Sequence, residues 1–235
     1  MSGVRVAAHQ PNLFPWLGFF DKMRAVDVFV LMDAVPFNRR GYQHRVRIGT
    51  AAGVRWLTLP VLKKGRYGEP TDEVRIDDSR PWRHDHLATL RHAYGKAPAF
   101  ARCIGPVEDL YGGGPFDRLV DLTIPGIELL RRELGIETRV RLGSELVEPG
   151  LASSDLLAAL TAAAGGDTYV SGPTGRDYMD ESVFAARGIA VEYRSFVPFP
   201  YEQRTPAFEP GLSALDFLFN VPDAASAWRS AGVEG

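Results

Sequence analysis

The chain has 235 residues, 45% hydrophobic and 24% charged, with a formal net charge of −2 and a sequence pI near 6.2. That is enough apolar material for a sizeable core, and the charge balance excludes a general electrostatic pull toward nucleic acid, DNA included. The single cysteine, Cys103, excludes an intrachain disulfide, and no stretch reaches the ~20 apolar residues of a membrane helix.

The N-terminal residues lack both the charged head and the apolar run of a signal peptide, so a cytoplasmic protein is expected. Val4–Ala8 is a short apolar, β-branched run and predicts a buried strand. Leu17–Val26 has helical spacing, with Leu17, Phe20 and Met23 on one side. Between them lies a kinked polar stretch, His9-Gln10-Pro11-Asn12, followed by Pro15-Trp16. Asp27–Asp33, "DVFVLMD", reads as a second central strand. Gln43–Ile48 and Val54–Val61 form a predicted hairpin around Gly49–Gly53. A Gly-rich basic loop follows at Lys63–Pro70, then a short strand at Val74–Ile76. Helices are expected over Trp82–Tyr94, Ala97–Tyr111 and Phe116–Leu134, interrupted at Gly95 and at Gly105-Pro106; Pro125 should kink the third or mark its true start. Strands at Thr138–Leu142, Thr168–Ser171 and Ile189–Tyr193 alternate with helices at Ser153–Ala164, N-capped by Ser153 or Ser154, and at Tyr178–Arg187. The aromatic, Pro-rich tail holds one helix, Leu212–Phe219.

Alternating short apolar strands and helices predict an α/β fold: a largely parallel sheet flanked by helices, Rossmann-like or nucleotidyltransferase-like. One domain is expected to span residues 1–235, with a hairpin insertion over 38–76, a helical portion over 77–135 and a docked C-terminal segment over 196–235. In such sheets ligands bind outside the carboxyl ends of the strands. That rule selects His9-Gln10-Pro11-Asn12, Asp33 and Ser171-Gly172.

His9 is the leading catalytic candidate, as acid, base or hydrogen-bonding group. Asn12 is held between two prolines, and Trp16 offers a stacking surface. Asp33 ends an apolar strand, where a carboxylate needs a partner; Arg45 or Arg47 is the expected one, with Asp33 orienting His9 or binding an amine. Gln43 and Arg45 share a face of their strand, and His44 points the other way. Ser171–Gly175 forms a Gly-rich turn that can aim backbone N–H groups and a helix N-terminus at an anion, with Arg176 as a bidentate donor. It is neither a P-loop nor a dinucleotide fingerprint. Asp177 and Asp180 suit helix capping. His84, His86 and His92 lack the spacing of a metal site, and neither metal nor cofactor is expected. Cys103 reads as a buried, inert thiol. Asp216 and Asn220, four apart on an apolar helix, suit a buried hydrogen-bonding pair.

The segments "HQPNLFPWLGFFDKM", "DVFVLMDAVPFNRRGYQHRVRI", "WLTLPV", "YVSGPTGRDYMD", "GIAVEYRSF", "PYEQ" and "LSALDFLFN" resemble successive motifs of the WbqC-like proteins, from Val4 to about Val221. The family motif falls on His9, Gln10, Pro11, Asn12, Pro15, Trp16, Asp33, Arg45, Ser171, Gly172, Tyr178, Tyr201, Gln203, Ser213, Asp216 and Asn220. Family members commonly read Asn-Arg where this chain has His44-Arg45. The resemblance implies a biosynthetic enzyme of surface-polysaccharide amino-sugar or natural-product pathways, one that transfers an acyl or aminoacyl group to an amine. The resemblance carries no catalytic assignment; on their strand-end positions and chemistry, His9 and Asp33 would be catalytic. Gln10, Asn12, Trp16, Gln43, His44, Arg45, Ser171, Gly172, Arg176, Tyr178, Tyr201 and Gln203 would bind a small-molecule substrate such as a nucleotide-linked amino sugar. The acyl donor would be a thioester, a carrier protein or an aminoacyl-tRNA, and no membrane partner is expected. Two other readings stay open. One is nucleotidyl transfer, although such sites usually carry a second histidine in the first turn, where Asn12 stands here. The other is a non-catalytic sugar-nucleotide or amino-acid binding subunit.

Overall fold

A computed structural model describes residues 3–62 and 68–231. Most of the basic stretch of the Lys63–Pro70 loop lies outside the described residues. The chain divides into two compact units: residues 1–10, 18–35 and 136–197 form the first, and 11–17, 36–135 and 198–235 the second.

The first unit is α/β. Its sheet has five parallel strands, β1 (Arg5–His9), β2 (Val28–Leu31), β5 (Arg139–Leu142), β6 (Thr168–Ser171) and β7 (Ala190–Tyr193), in the order β5-β2-β1-β6-β7. β1 is therefore central, and the direction of winding reverses between β1 and β6, the switch point of a doubly wound sheet. Strand alternation sorts the side chains. Val6, Ala8, Val28, Val30 and Tyr169 meet Leu157, Ala158 and Leu160 of α5 (Ser153–Ala163) and Phe184 of α6 (Glu181–Ala185). On the other face, Phe29 meets Phe19 of α1 (Leu17–Arg24) with ring centroids 5.0 Å apart. Both faces are thus covered, which is why the inner strands β1 and β2 are nearly continuous apolar runs, while the edge strands β5 and β7 carry Arg139, Arg141 and Glu192. α1 is further fixed by buried Asp21, which accepts from Arg194 Nε and Nη2 at 2.6 and 2.9 Å and from Arg24 at 3.0 Å.

The second unit packs the antiparallel hairpin β3 (Arg45–Thr50)/β4 (Gly53–Thr58) with α2 (Trp82–Tyr94), α3 (Phe100–Gly112), α4 (Leu119–Glu133), α7 (Ala214–Asn220) and α8 (Ala224–Ser230). Every residue of α7 is buried. α3 and α4 run through Pro106 and Pro125, against the expected break and restart. Each proline removes one helical N–H, but the buried stripes Phe100/Cys103/Ile104/Val107 and Leu122/Ile127/Leu130 hold the helices across it. α4 starts at Leu119, where the Asp121 carboxylate accepts the N–H groups of Asp117 and Arg118 at 3.1 and 2.7 Å. The Val74–Ile76 segment makes only isolated bridges, Val61 with Ile76 and Arg75 with Arg118. Helix α8, docked by buried Trp228, has no counterpart in the predicted elements.

Candidate functional site at the sheet switch point

β1 and β2 pair over four residues, His9 included, whereas β1 and β6 pair only at Arg5/Thr168 and Val6/Tyr169. Beyond Val6 and Tyr169 the two central strands are no longer partners, and in doubly wound sheets the carboxyl ends at such a switch point are where ligand crevices form. A side-chain carbon built on Gly172, the residue following β6, would meet no atom within 4 Å. His9 ends β1, and Gln10 follows it.

His9 takes the α1 face by alternation with Ala7 and Ala8, and its ring meets Phe19 edge-on at 5.0 Å. Its Nδ1 lies 3.0 Å from the Gln10 carbonyl oxygen. An acceptor there fixes the tautomer: Nδ1–H donates, and Nε2 keeps its lone pair. Among the described residues Nε2 has no hydrogen-bond partner. Burial, then the positive charge of Lys22, lower the imidazole to about 3, against the Gln10 bond that raises it. His9 is therefore neutral at physiological pH.

Lys22 was not among the expected site residues. One helical turn after Phe19, it sends its Nζ onto the Ala8 carbonyl at 2.9 Å and lies 5.9 Å from the Phe29 ring centroid. Burial lowers its ammonium to about 8. The neighbouring carboxylate, Asp21, is committed to two arginines, and Lys22 makes no ion pair among the described residues. A half-buried lysine with no acidic partner among the described residues, beside a neutral histidine at a strand end, makes this a candidate ligand site. The only trace in sequence is a lone lysine inside the aromatic stripe of "GFFDKM".

Asp33 is buried, but its partner is not an arginine. Its two oxygens accept from Ser144 N at 2.9 Å and Ser144 Oγ at 2.6 Å, which ties the end of β2 to the turn after β5. Arg45 instead donates to the Gly41 and Arg40 carbonyls and stacks on Trp56, and Arg47 pairs with Glu209. The group that orients His9 is the Gln10 carbonyl, not Asp33.

On β6, Ser171 is buried and takes the α5 face with Tyr169, opposite to His9. Its hydroxyl fills the space where a Gly175 side chain would sit. Residues Pro173–Asp177 form a 3₁₀ turn rather than the loop of a longer helix. α6 begins only at Glu181, and its N-terminus is occupied by Asp180, which accepts from Ser182 N at 3.0 Å. The expected helix-terminal anion site is therefore filled by the protein's own carboxylate. Neither serine caps α5: Ala152 is its N-cap, and Ser154 Oγ accepts from Asp180 N. Arg176 stacks 4.1 Å from the ring centroid of Tyr193, and Tyr178 is largely exposed.

The remaining expected residues lie in the second unit. Asn12 is buried and Trp16 partly exposed. Gln43 is buried, accepting from Asn38 N at 2.7 Å and donating to Thr71 Oγ1 at 2.7 Å. His44 is buried edge-on to Phe37. Tyr201 donates to Asp216 at 3.0 Å, and Gln203 clamps the backbone of Glu209 through both amide groups. Asp216 is fully buried, also bonded by Tyr94 at 2.8 Å and by Asn220 at 3.3 Å. His86 is held between Tyr111 and the Thr58 carbonyl.

The profile of the WbqC-like protein family matches residues 10–227. The uncharacterized protein Rv1507c of Mycobacterium tuberculosis (strain ATCC 25618 / H37Rv) is similar, 34% identical over 218 residues that cover 92% of this chain and 94% of the relative. No solved structure gives a match. With nearly its whole length covered by both comparisons, this chain belongs to the WbqC-like protein family.

Proposed function

We propose that the protein is a small-molecule biosynthetic transferase that joins an acyl or aminoacyl group to an amine, and that the reaction takes place in the crevice at the carboxyl end of β1. The observation that carries this reading is the pair of His9, neutral with a free Nε2, and Lys22, cationic with no acidic partner among the described residues. The ammonium of Lys22 receives an anionic group of the substrate or the oxyanion that develops on the attacked carbonyl. Such an anion offsets the positive charge that depresses His9 and brings the imidazole closer to the range of a useful base. The amine nitrogen attacks the acyl carbon and His9 Nε2 takes its proton. The tetrahedral intermediate then expels the thiol or alcohol of the donor, which leaves with the proton from His9. Asp33 supports this floor of the crevice through Ser144.

The test is incubation with acyl thioesters or aminoacyl-tRNA and nucleotide-linked amino sugars, read by mass spectrometry for the mass gain of an amide. His9→Ala and Lys22→Met should each abolish product while leaving the circular dichroism spectrum unchanged. Turnover that survives both changes would overturn the assignment. The winding order of the sheet also favours a second reading, nucleotidyl transfer, which pyrophosphate release from a nucleoside triphosphate would reveal.

A further inference from the structure

A groove of about 650 Å³ runs between α3 and α4 in the second unit. The short connection 113–118 turns α4 back along α3. Phe14 packs against both Tyr111 and Gly126 near that turn, and the Glu133 carboxylate acts electrostatically on Cys103 at the far end, so the two helices are antiparallel. Two rows spaced four residues apart form the α4 wall: Ile124, Glu128 and Arg132, then Pro125, Leu129 and Glu133. Leu110 of α3 completes an apolar floor with Ile124, Pro125 and Leu129.

The charges around this floor are unequally satisfied. Glu128, midway along it, is neutralised by Arg131, whose Nη2 donates to it at 2.8 Å. Arg132 is exposed, and among the described residues it donates only from Nε, to the Glu128 carbonyl at 3.3 Å. Asp109 is exposed as well, and neither it nor Glu133 has a hydrogen-bond or ion-pair partner among the described residues. Asp109 stands toward the connection, and Arg132 stands toward the opposite end of a row that spans about 12 Å from Ile124. An unpaired anion and an unpaired cation thus mark opposite ends of an apolar strip.

We propose that this face is the contact between two copies of the chain, related by a twofold axis across α4. A surface that meets itself about a twofold axis has to be self-complementary. Antiparallel stacking sets the Ile124–Leu129 ridge of each copy into the groove of the other and carries Arg132 of each copy to Asp109 of the other. A small ligand is a poorer occupant, because its site needs polar groups converging on one place, and the unpaired charges here stand apart with opposite signs. A uniformly basic or uniformly acidic partner would set like charge against one of the two ends. The proposal is independent of the reaction at the switch point.

Sedimentation velocity of the full chain at rising concentration tests it, and a monomer–dimer equilibrium is expected. Arg132→Asp and Asp109→Arg should each weaken dimerisation about tenfold, since each change replaces two attractions by two repulsions. Ile124→Glu should weaken it as well. All three side chains are at least partly exposed, and an unchanged circular dichroism spectrum will show that the fold survives. Mixing Arg132→Asp with Asp109→Arg should restore a dimer, because opposite charges then meet again at both ends of the twofold contact. A role for these residues within one chain gives no such rescue. A chain that stays monomeric at every concentration, a dimer indifferent to these substitutions, or failure of the two variants to associate on mixing would each overturn the proposal. So would a monomer that holds a different protein or a small molecule on this face.

Discussion

Replacing Tyr94 by phenylalanine should be among the most destabilising single-atom deletions in the protein. The Tyr94 hydroxyl donates to Asp216 Oδ2 at 2.8 Å and accepts the Gly49 N–H at 2.9 Å. Both partners are buried, and Gly49 packs so closely that a side-chain carbon there would lie 2.6 Å from Asp216 Oδ2. Removing the oxygen therefore leaves a buried backbone N–H with only its secondary contact to the Asp216 carboxylate, at about 1–3 kcal/mol, and removes a bond to a carboxyl group, at about 1.5–3 kcal/mol. The sum is about 2.5–6 kcal/mol, or ~10 °C in melting temperature for a chain of this size. Tyr201→Phe is the control. It deletes one bond to the same carboxylate, at 3.0 Å, and strands no backbone group, so it should cost about half as much. Differential scanning calorimetry of the two variants decides the matter. If Tyr201→Phe costs as much as Tyr94→Phe, the Gly49 N–H left without the Tyr94 hydroxyl is not the dominant cost and the reasoning fails.

The Lys22 ammonium is depressed from 10.5 to about 8 by burial. Its neutral form is therefore favoured by folding, so its contribution to stability is full above the unfolded value and is lost as pH falls through about 8. Lys22→Met should consequently melt higher than the parent at pH 7, by about 1–2 kcal/mol after allowing for its partial exposure, with the gain vanishing near pH 10.5. In NMR titrations the His9 ring protons of the parent should show no inflection between pH 5 and 8, and Lys22→Met should raise the His9 midpoint while leaving it below 6.5, because burial is the larger cause. Ser144→Ala should cost about 1.5–3 kcal/mol in chemical denaturation by stripping a donor from buried Asp33. Gly175→Ala should force the Ser171 side chain from its position, visible as chemical-shift changes confined to the end of β6 and the turn that follows.

Much of the first unit was legible because its strands are short apolar runs bounded by polar residues, and periodicity reports that directly. Trp82–Tyr94 and Thr168–Ser171 have the boundaries that pattern predicts. The strand-end rule singled out His9, and the structure sets it at the end of the central strand. Less legible were features decided by partners distant in sequence. Asp33 needed a partner, but nothing local says that it is Ser144, 111 positions away. Lys22 lies on a helix whose apolar face is obvious, yet its isolation from carboxylates follows only from Asp21 being taken by Arg24 and Arg194. The prolines of α3 and α4 show the reverse case, in which a strong local signal loses to tertiary packing.

The central position of β1 has a consequence for synthesis. β1 is the first strand to be made, yet its partner on one edge, β6, begins at Thr168. Until some 160 further residues have been joined, one edge of the innermost strand waits exposed, an edge that other chains can pair with. Contacts so distant in sequence close slowly. Its carboxyl end, where His9 stands, can therefore be completed only after most of the chain has left the ribosome. Early termination or stalling before β6 would leave this strand as an aggregation-prone template rather than as the centre of a closed sheet.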